Sequence, residues 1–147
     1  MAKKEKTLKN RNIIAGDEWY TPPELYKELD KEFNFDLDPC PANRPKGWNG
    51  LEMDWGTMNY VNPPYSRKLK EAFVKKGIEE LRKGKSSVFL LPVSTSTVLF
   101  HDYIKPNATK IRFIRGRIKF IGVNTKGEKV TNKCGMHDSM LVIFKAS

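Results

Sequence analysis

Asn62-Pro63-Pro64-Tyr65, directly after the apolar pair Tyr60-Val61, is the stretch of this chain best suited to chemistry. Proline fixes φ and has no N–H, so Pro63 and Pro64 offer only backbone acceptors on a stiffened turn. The residue before a proline is pushed towards extended geometry, which makes Asn62 the end of a strand rather than the start of a helix. The Asn62 side-chain oxygen and the Pro63 carbonyl then form a rigid acceptor pair beside the aromatic face of Tyr65. Such a pair suits an exocyclic amino group, which has two hydrogens to donate and a planar ring to stack. The same four residues also read as a Pro-rich turn after an edge strand, with Tyr65 covering the core.

The elements that must carry this segment alternate between two periodicities. Thr21-Pro22-Pro23-Glu24 reads as a helix start with Thr21 as N-cap, and Leu25, Leu29 and Phe33 follow at helical spacing. Residues 33–38 alternate apolar and polar, which predicts a short strand ending at Asp38-Pro39. Residues 41–58, rich in Pro, Gly, Asn and Trp, read as a loop or broken helix. A strand over 59–62 and a helix over 69–82 come next. Residues 87–93 are a continuous apolar run, as expected of a strand covered on both faces. A short helix over 98–104, a strand with a turn or hairpin over 110–121 and a last strand over 139–144 complete the order.

Strands alternating with helices predict a compact α/β domain, a three-layer arrangement around a mostly parallel sheet. In such sheets ligands bind outside the carboxyl ends of the strands. Three strand ends carry unusual polar chemistry: Asp38-Pro39, Asn62 to Tyr65, and Pro92-Val93-Ser94-Thr95. They are expected to line one rim. Ser94 to Thr97 either close that pocket or cap the following helix.

The chain has 147 residues, with 27 Lys and Arg against 17 Asp and Glu, a formal net charge of +10. One domain over 17–147 is expected, preceded by a basic, flexible arm over 1–16. The excess charge favours a polyanion, DNA or RNA first, and it is clustered at Lys3 to Arg11, Arg67 to Lys70, Lys75-Lys76, Arg82 to Lys85 and Lys110 to Lys119. Each cluster also reads as a solvated basic face. The two cysteines, Cys40 and Cys134, have no framework spacing, which fits a reducing compartment. Cys134 and His137 supply half of a metal-site spacing with no second pair nearby, so no metal is expected. No apolar run reaches membrane-spanning length and the first 16 residues lack a signal-peptide core. A soluble, intracellular (cytoplasmic) protein is expected.

Six segments, taken in order, resemble the small phage-type (Dam-like) DNA N6-adenine methyltransferases, which depend on S-adenosylmethionine. They are Trp19 to Pro22, Asp36 to Cys40, Gly50 to Trp55, Asn62 to Ser66, Leu90 to Pro92 and Arg115 to Phe120. The resemblance covers Asp17 to Phe144. It implies a Rossmann-like methyltransferase fold and a phage or prophage setting. It also implies that Asn62 and the Pro63 carbonyl, stiffened by Pro64, accept both N6 hydrogens of an adenine flipped out of the duplex. Tyr65 would stack on that base, and Phe120 would supply a second stacking face or pack in the core. For the cofactor, the resemblance implies contacts from Trp19, Tyr20 and Thr21, and from Asp38, Pro39 and Cys40. The Asp38 carboxylate would face the cationic amino group of the methionine moiety, or cap its turn.

Asp54 or Glu52 would hold the cofactor's ribose or adenine. The glycine-rich turn of the wider superfamily is replaced by Pro41-Ala42-Asn43-Arg44, where Asn43 would substitute through a side-chain contact or left-handed backbone. Ser66, Arg67, Lys68, Arg115, Arg117 and Lys119 would meet DNA phosphates beside the flipped base. Asn-Pro-Pro-Tyr also serves methyltransferases acting on RNA guanine or on protein glutamine amides. A DNA-binding relative without catalysis is a further alternative. With little room for a separate recognition domain, the target sequence is expected to be short or relaxed, and a homodimer would extend the footprint.

Overall fold

The computed structural model describes residues 20–42, 44–64, 66–123, 129–131 and 137–147. The expected arm over 1–16 lies outside them, as do Trp19, Asn43, Tyr65 and Cys134.

Helix α1 runs from Pro23 to Phe33, with Pro22 at its N-cap and Glu24 in the first turn. Its last turn closes at Asn34, whose left-handed backbone (φ 56°) returns an N–H to the Asp30 carbonyl. Thr21 does not cap this helix: no side chain does, because Pro22 and Pro23 have no N–H to be satisfied. After α1 the chain runs beside strand β1 (Met58–Val61) and meets it in one parallel bridge, Leu37 to Asn59. The Asp36 carboxylate pins this edge by accepting the N–H groups of Thr57 and Met58 at 3.0 and 2.9 Å.

Helix α2 (Arg67–Arg82) returns the chain to β2 (Ser86–Pro92), which pairs parallel with β1. A π-helical segment, Leu99–Ile104, follows and runs into the single turn α3, Lys105–Asn107. Then come β3 (Lys110–Phe113), a hairpin of β4 (Ile121–Val123) and β5 (Lys129–Thr131), and β6 (Ser139–Phe144). The main sheet has the order β1-β2-β6-β3.

This sheet is mixed, not mostly parallel. β6 lies reversed between β2 and β3, so both of its ladders are antiparallel. Between β3 and β6 the described residues contain no helix, and an antiparallel neighbour, unlike a parallel one, needs no helical crossover.

Alternation along the strands divides the core. Val61, Phe89, Leu91 and Val142 face α2 and the π-helical segment through Phe73, Val74, Ile78, Leu99 and Ile104. Tyr60, Val88, Leu90, Leu141 and Ile143 pack on the other side with Leu29 of α1 and with Ile118 and Phe120. Gly77 is the contact glycine of α2: a Cβ there would stand 2.6 Å from the Phe89 ring.

Candidate active site

The parallel bridge between Leu37 and Asn59 brings Asp38 and Asn62 to the same end of the sheet. Between them opens a cleft of about 260 Å³. Asp38, Cys40, Thr21, Asn62, Pro63 and Pro64 all line it, with Tyr20, Tyr26, Tyr60 and Arg44. Two of the three strand ends expected on one rim therefore meet; the third does not reach this cleft.

Asn62 is held from its nitrogen end, where Nδ2 donates to Thr21 Oγ1 at 3.3 Å. The Thr21 hydroxyl also shares a hydrogen bond of 2.5 Å with Tyr60 OH. An amide gripped through its nitrogen directs its carbonyl oxygen the opposite way, which gives Asn62 a defined acceptor end. Pro63 and Pro64 are buried, so the turn that carries the Pro63 carbonyl is fixed by packing as well as by its rings.

Asp38 accepts the Cys40 N–H at 2.9 Å, and among the described residues no cation is paired with it. Burial raises its carboxyl pKa to about 6, against the lowering effect of that hydrogen bond. Its charge reaches its neighbours. Burial and then Asp38 push the Cys40 thiol up to about 12. The Tyr60 phenol is raised chiefly by burial. Tyr26 is raised by burial, then by Asp30 and Asp38. A carboxylate so placed gains most from a cationic group entering the cleft.

The loop over 41–58 is packed by two indoles. Trp48 Nε1 donates to the Pro39 carbonyl at 2.9 Å, and Trp55 Nε1 donates to the Gly50 carbonyl at 2.8 Å. Gly50 lies so close to Pro39 that a Cβ would sit 2.0 Å from its carbonyl oxygen. Beneath the loop, buried Glu80 accepts the Trp55 N–H at 3.0 Å and pairs with Lys76, Lys83 and Lys85 at 3.4, 2.9 and 3.7 Å. This is how the loop is held against the sheet in place of a glycine-rich turn.

Several residues singled out from the sequence stand elsewhere. Asp54 is outside the cleft, with an exposed side chain 3.9 Å from Lys83. Glu52 is likewise exposed and absent from the lining. Pro39 is buried and outside the lining, its carbonyl taken by Trp48. Phe120 is a core residue, 6% exposed, in the cluster of Tyr60 and Leu29, so its ring is committed to packing. Ser66, Arg67, Lys68, Arg115, Arg117 and Lys119 are exposed, as phosphate contacts require; Arg67 pairs with Glu71 and Arg117 with Asp138, both at 3.2 Å. Tyr26, Arg44 and Tyr60 were not expected in the cleft. Tyr26 lies one turn from Leu29, and Tyr60 alternates with Val61, so both looked like ordinary stripe positions.

A family model described as DNA N-6-adenine-methyltransferase (Dam) matches residues 6–147. The chain belongs to this family. Within it, a DNA N-6-adenine-methyltransferase of Escherichia phage T1 is 34% identical over 116 residues, which cover 71% of this chain and 48% of the phage protein. The chain thus spans about half the length of that relative. The Dam-family match takes in every residue of the cleft and extends to the chain's last strand, so cleft, loop and sheet belong to one matched unit. Among the described residues no helix is long and apolar enough to cross a membrane.

Proposed function

We propose that this Dam-family protein transfers a methyl group from S-adenosylmethionine to the N6 amino group of adenine in DNA, as a phage-type modification enzyme on a Rossmann-like scaffold. One observation carries the reading: Asn62-Pro63-Pro64 shares its cleft with a half-buried carboxylate, Asp38, with which no cation is paired among the described residues. When bound, S-adenosylmethionine supplies a methyl on a positively charged sulfur and a cationic amino group. Asp38 fits the amino group, and Tyr20, Tyr26 and Cys40 give the remaining wall its apolar and aromatic character.

The N6 lone pair of adenine is delocalised into the ring and is a poor nucleophile. Asn62 Oδ1 and the Pro63 carbonyl accept its two hydrogens, which localises the lone pair and stabilises the positive charge that grows on nitrogen during attack. Such preorganised acceptors cost nothing to reorient at the moment of reaction, and losing one polar group of this kind costs about 10²–10³ in rate. No strong base is needed, since the N6 proton leaves after the N–C bond has formed. The base reaches this corner by leaving the duplex, with Tyr65 as its stacking partner. The exposed Arg67, Lys68, Arg115 and Lys119 attract the phosphates on either side.

Methyl-labelled S-adenosylmethionine offered with DNA, RNA and a glutamine-bearing protein tests the reading. Label in DNA alone is expected. Label in RNA or protein instead, or in none, overturns it.

A further inference from the structure

A second cleft, of about 460 Å³, opens at the same end of the sheet over the opposite face, and shares no lining residue with the first. Its volume falls within the usual range of ligand sites. Its floor is apolar: Leu91, Leu99, Ile104 and Met140, all buried members of the core on the α2 side. Its rim is polar and carries Arg67, Lys70 and Glu71 on the first turns of α2, with Ser94, Ser96 and Thr97 opposite. Here the Pro92-to-Thr95 strand end, missing from the first cleft, finds its place.

The rim combines charge with hydroxyl groups. Among the described residues Glu71 is the one carboxylate in the lining and is paired with Arg67 at 3.2 Å, which leaves their net charge positive through Lys70. The Ser94-to-Thr97 wall is fixed by Thr97, whose hydroxyl donates to the Ser94 carbonyl at 3.0 Å and accepts the Phe100 N–H at 3.1 Å. Val98, 63% exposed, extends the floor to the mouth as an apolar surface facing water. An apolar slot with a carboxylate, hydroxyls and cations at its edge matches a nucleobase attached to a phosphate.

Position supports the match. Pro64 lines the first cleft and Arg67 the second, three residues apart. That span is at most about 11 Å, so the two clefts stand close enough for neighbouring nucleotides of one site to meet both.

Resting on the DNA substrate proposed above, we infer that this second cleft takes one unstacked nucleotide of the target site other than the methylated adenine, its base on the apolar floor and its phosphate at Lys70, beside the Arg67–Glu71 pair. The cleft then supplies sequence preference from within the described domain.

Duplexes with a single target adenine test this, with an abasic residue placed in turn at its 5′ neighbour, its 3′ neighbour and the base opposite. One of the three is expected to lose about 10-fold or more in kcat/KM, the worth of a lost base contact. Ser96→Trp, at an exposed position of the rim, is expected to impose that loss on intact DNA and add nothing on the abasic duplex. Val98→Glu, also exposed, is expected to raise KM for DNA while leaving the dissociation constant for S-adenosylmethionine unchanged. Uniform rates on all three abasic duplexes, or a Ser96→Trp enzyme with wild-type rates and preference, overturn the inference while leaving the proposed activity standing. No methyl transfer by the wild type to intact DNA overturns the activity itself.

Discussion

The Thr21 hydroxyl accepts a hydrogen bond from the side-chain nitrogen of Asn62 at 3.3 Å, across 41 positions of sequence. Thr21 is in turn joined to the buried phenol of Tyr60, so the amide that would meet the substrate is braced by a chain of two bonds reaching into the core. Thr21→Val keeps the shape and removes the hydroxyl. It is expected to lower kcat about 10- to 100-fold, the usual effect of a small loss of orientation, with KM for DNA little changed. Thr21→Ser is expected to restore most of the rate. A valine enzyme with wild-type kcat contradicts the bracing role.

Asp38 makes the first cleft sensitive to pH. Its carboxyl pKa stands at about 6 in the folded protein, above the ordinary 3.8, because burial disfavours the charge. A raised carboxyl pKa contributes stability that is complete below pH 3.8 and is lost as pH rises through about 6. Asp38→Asn is therefore expected to melt higher than the wild type above pH 6, without ligand. Binding of a cationic amino group draws the carboxylate into its charged form, so affinity for S-adenosylmethionine is expected to fall as pH drops below 6, with proton release on binding. The same variant is expected to bind S-adenosylmethionine about 10- to 100-fold more weakly, the worth of a charge-assisted hydrogen bond. Calorimetry in buffers of different ionisation enthalpy measures both effects. A flat pH profile, or full affinity in Asp38→Asn, contradicts the assignment.

Glu80 carries the loop rather than the chemistry. Burial alone would raise its pKa, yet the hydrogen bond from Lys83, then the Trp55 N–H and Lys76, hold it down to about 2. Its folded form is thus charged, and that contribution is present above the ordinary pKa of 4.5 and lost as pH falls towards 2. Glu80→Ala leaves the Trp55 N–H without its acceptor while the lysines turn to water. A loss of about 1–3 kcal/mol is expected at neutral pH, measured by urea unfolding. An unchanged midpoint contradicts it.

Much of this was legible in the sequence, and the failures share a cause. The apolar run at Ser86–Pro92, the amphipathic α2 and the final strand appear nearly where local pattern puts them, because burial on one or both faces imprints a period. Asp38 and Asn62 fall in one cleft because each ends an extended segment and the two segments run parallel. Strand direction leaves no such imprint: β6 is buried on both faces and would look the same in either sense. Thr21 is a second case, since a threonine before two prolines looks like a cap whatever its hydroxyl bonds in three dimensions. For Asp54 and Phe120 the sequence left alternatives open, and the structure places Asp54 outside the first cleft and Phe120 in the core. Spacing from a motif places a residue near a site in sequence, but not in space: Asp54 is exposed near Lys83, and Phe120 packs in the cluster of Leu29.

Nucleoside mass spectrometry of DNA digested after incubation with S-adenosylmethionine and either the wild type or Asn62→Ala tests the central claim most directly. The wild type is expected to form N6-methyladenine. Asn62→Ala is expected to form at least about 10²-fold less while still binding the cofactor by calorimetry. Absence of N6-methyladenine with the wild type, or its formation at wild-type levels by Asn62→Ala, contradicts the account.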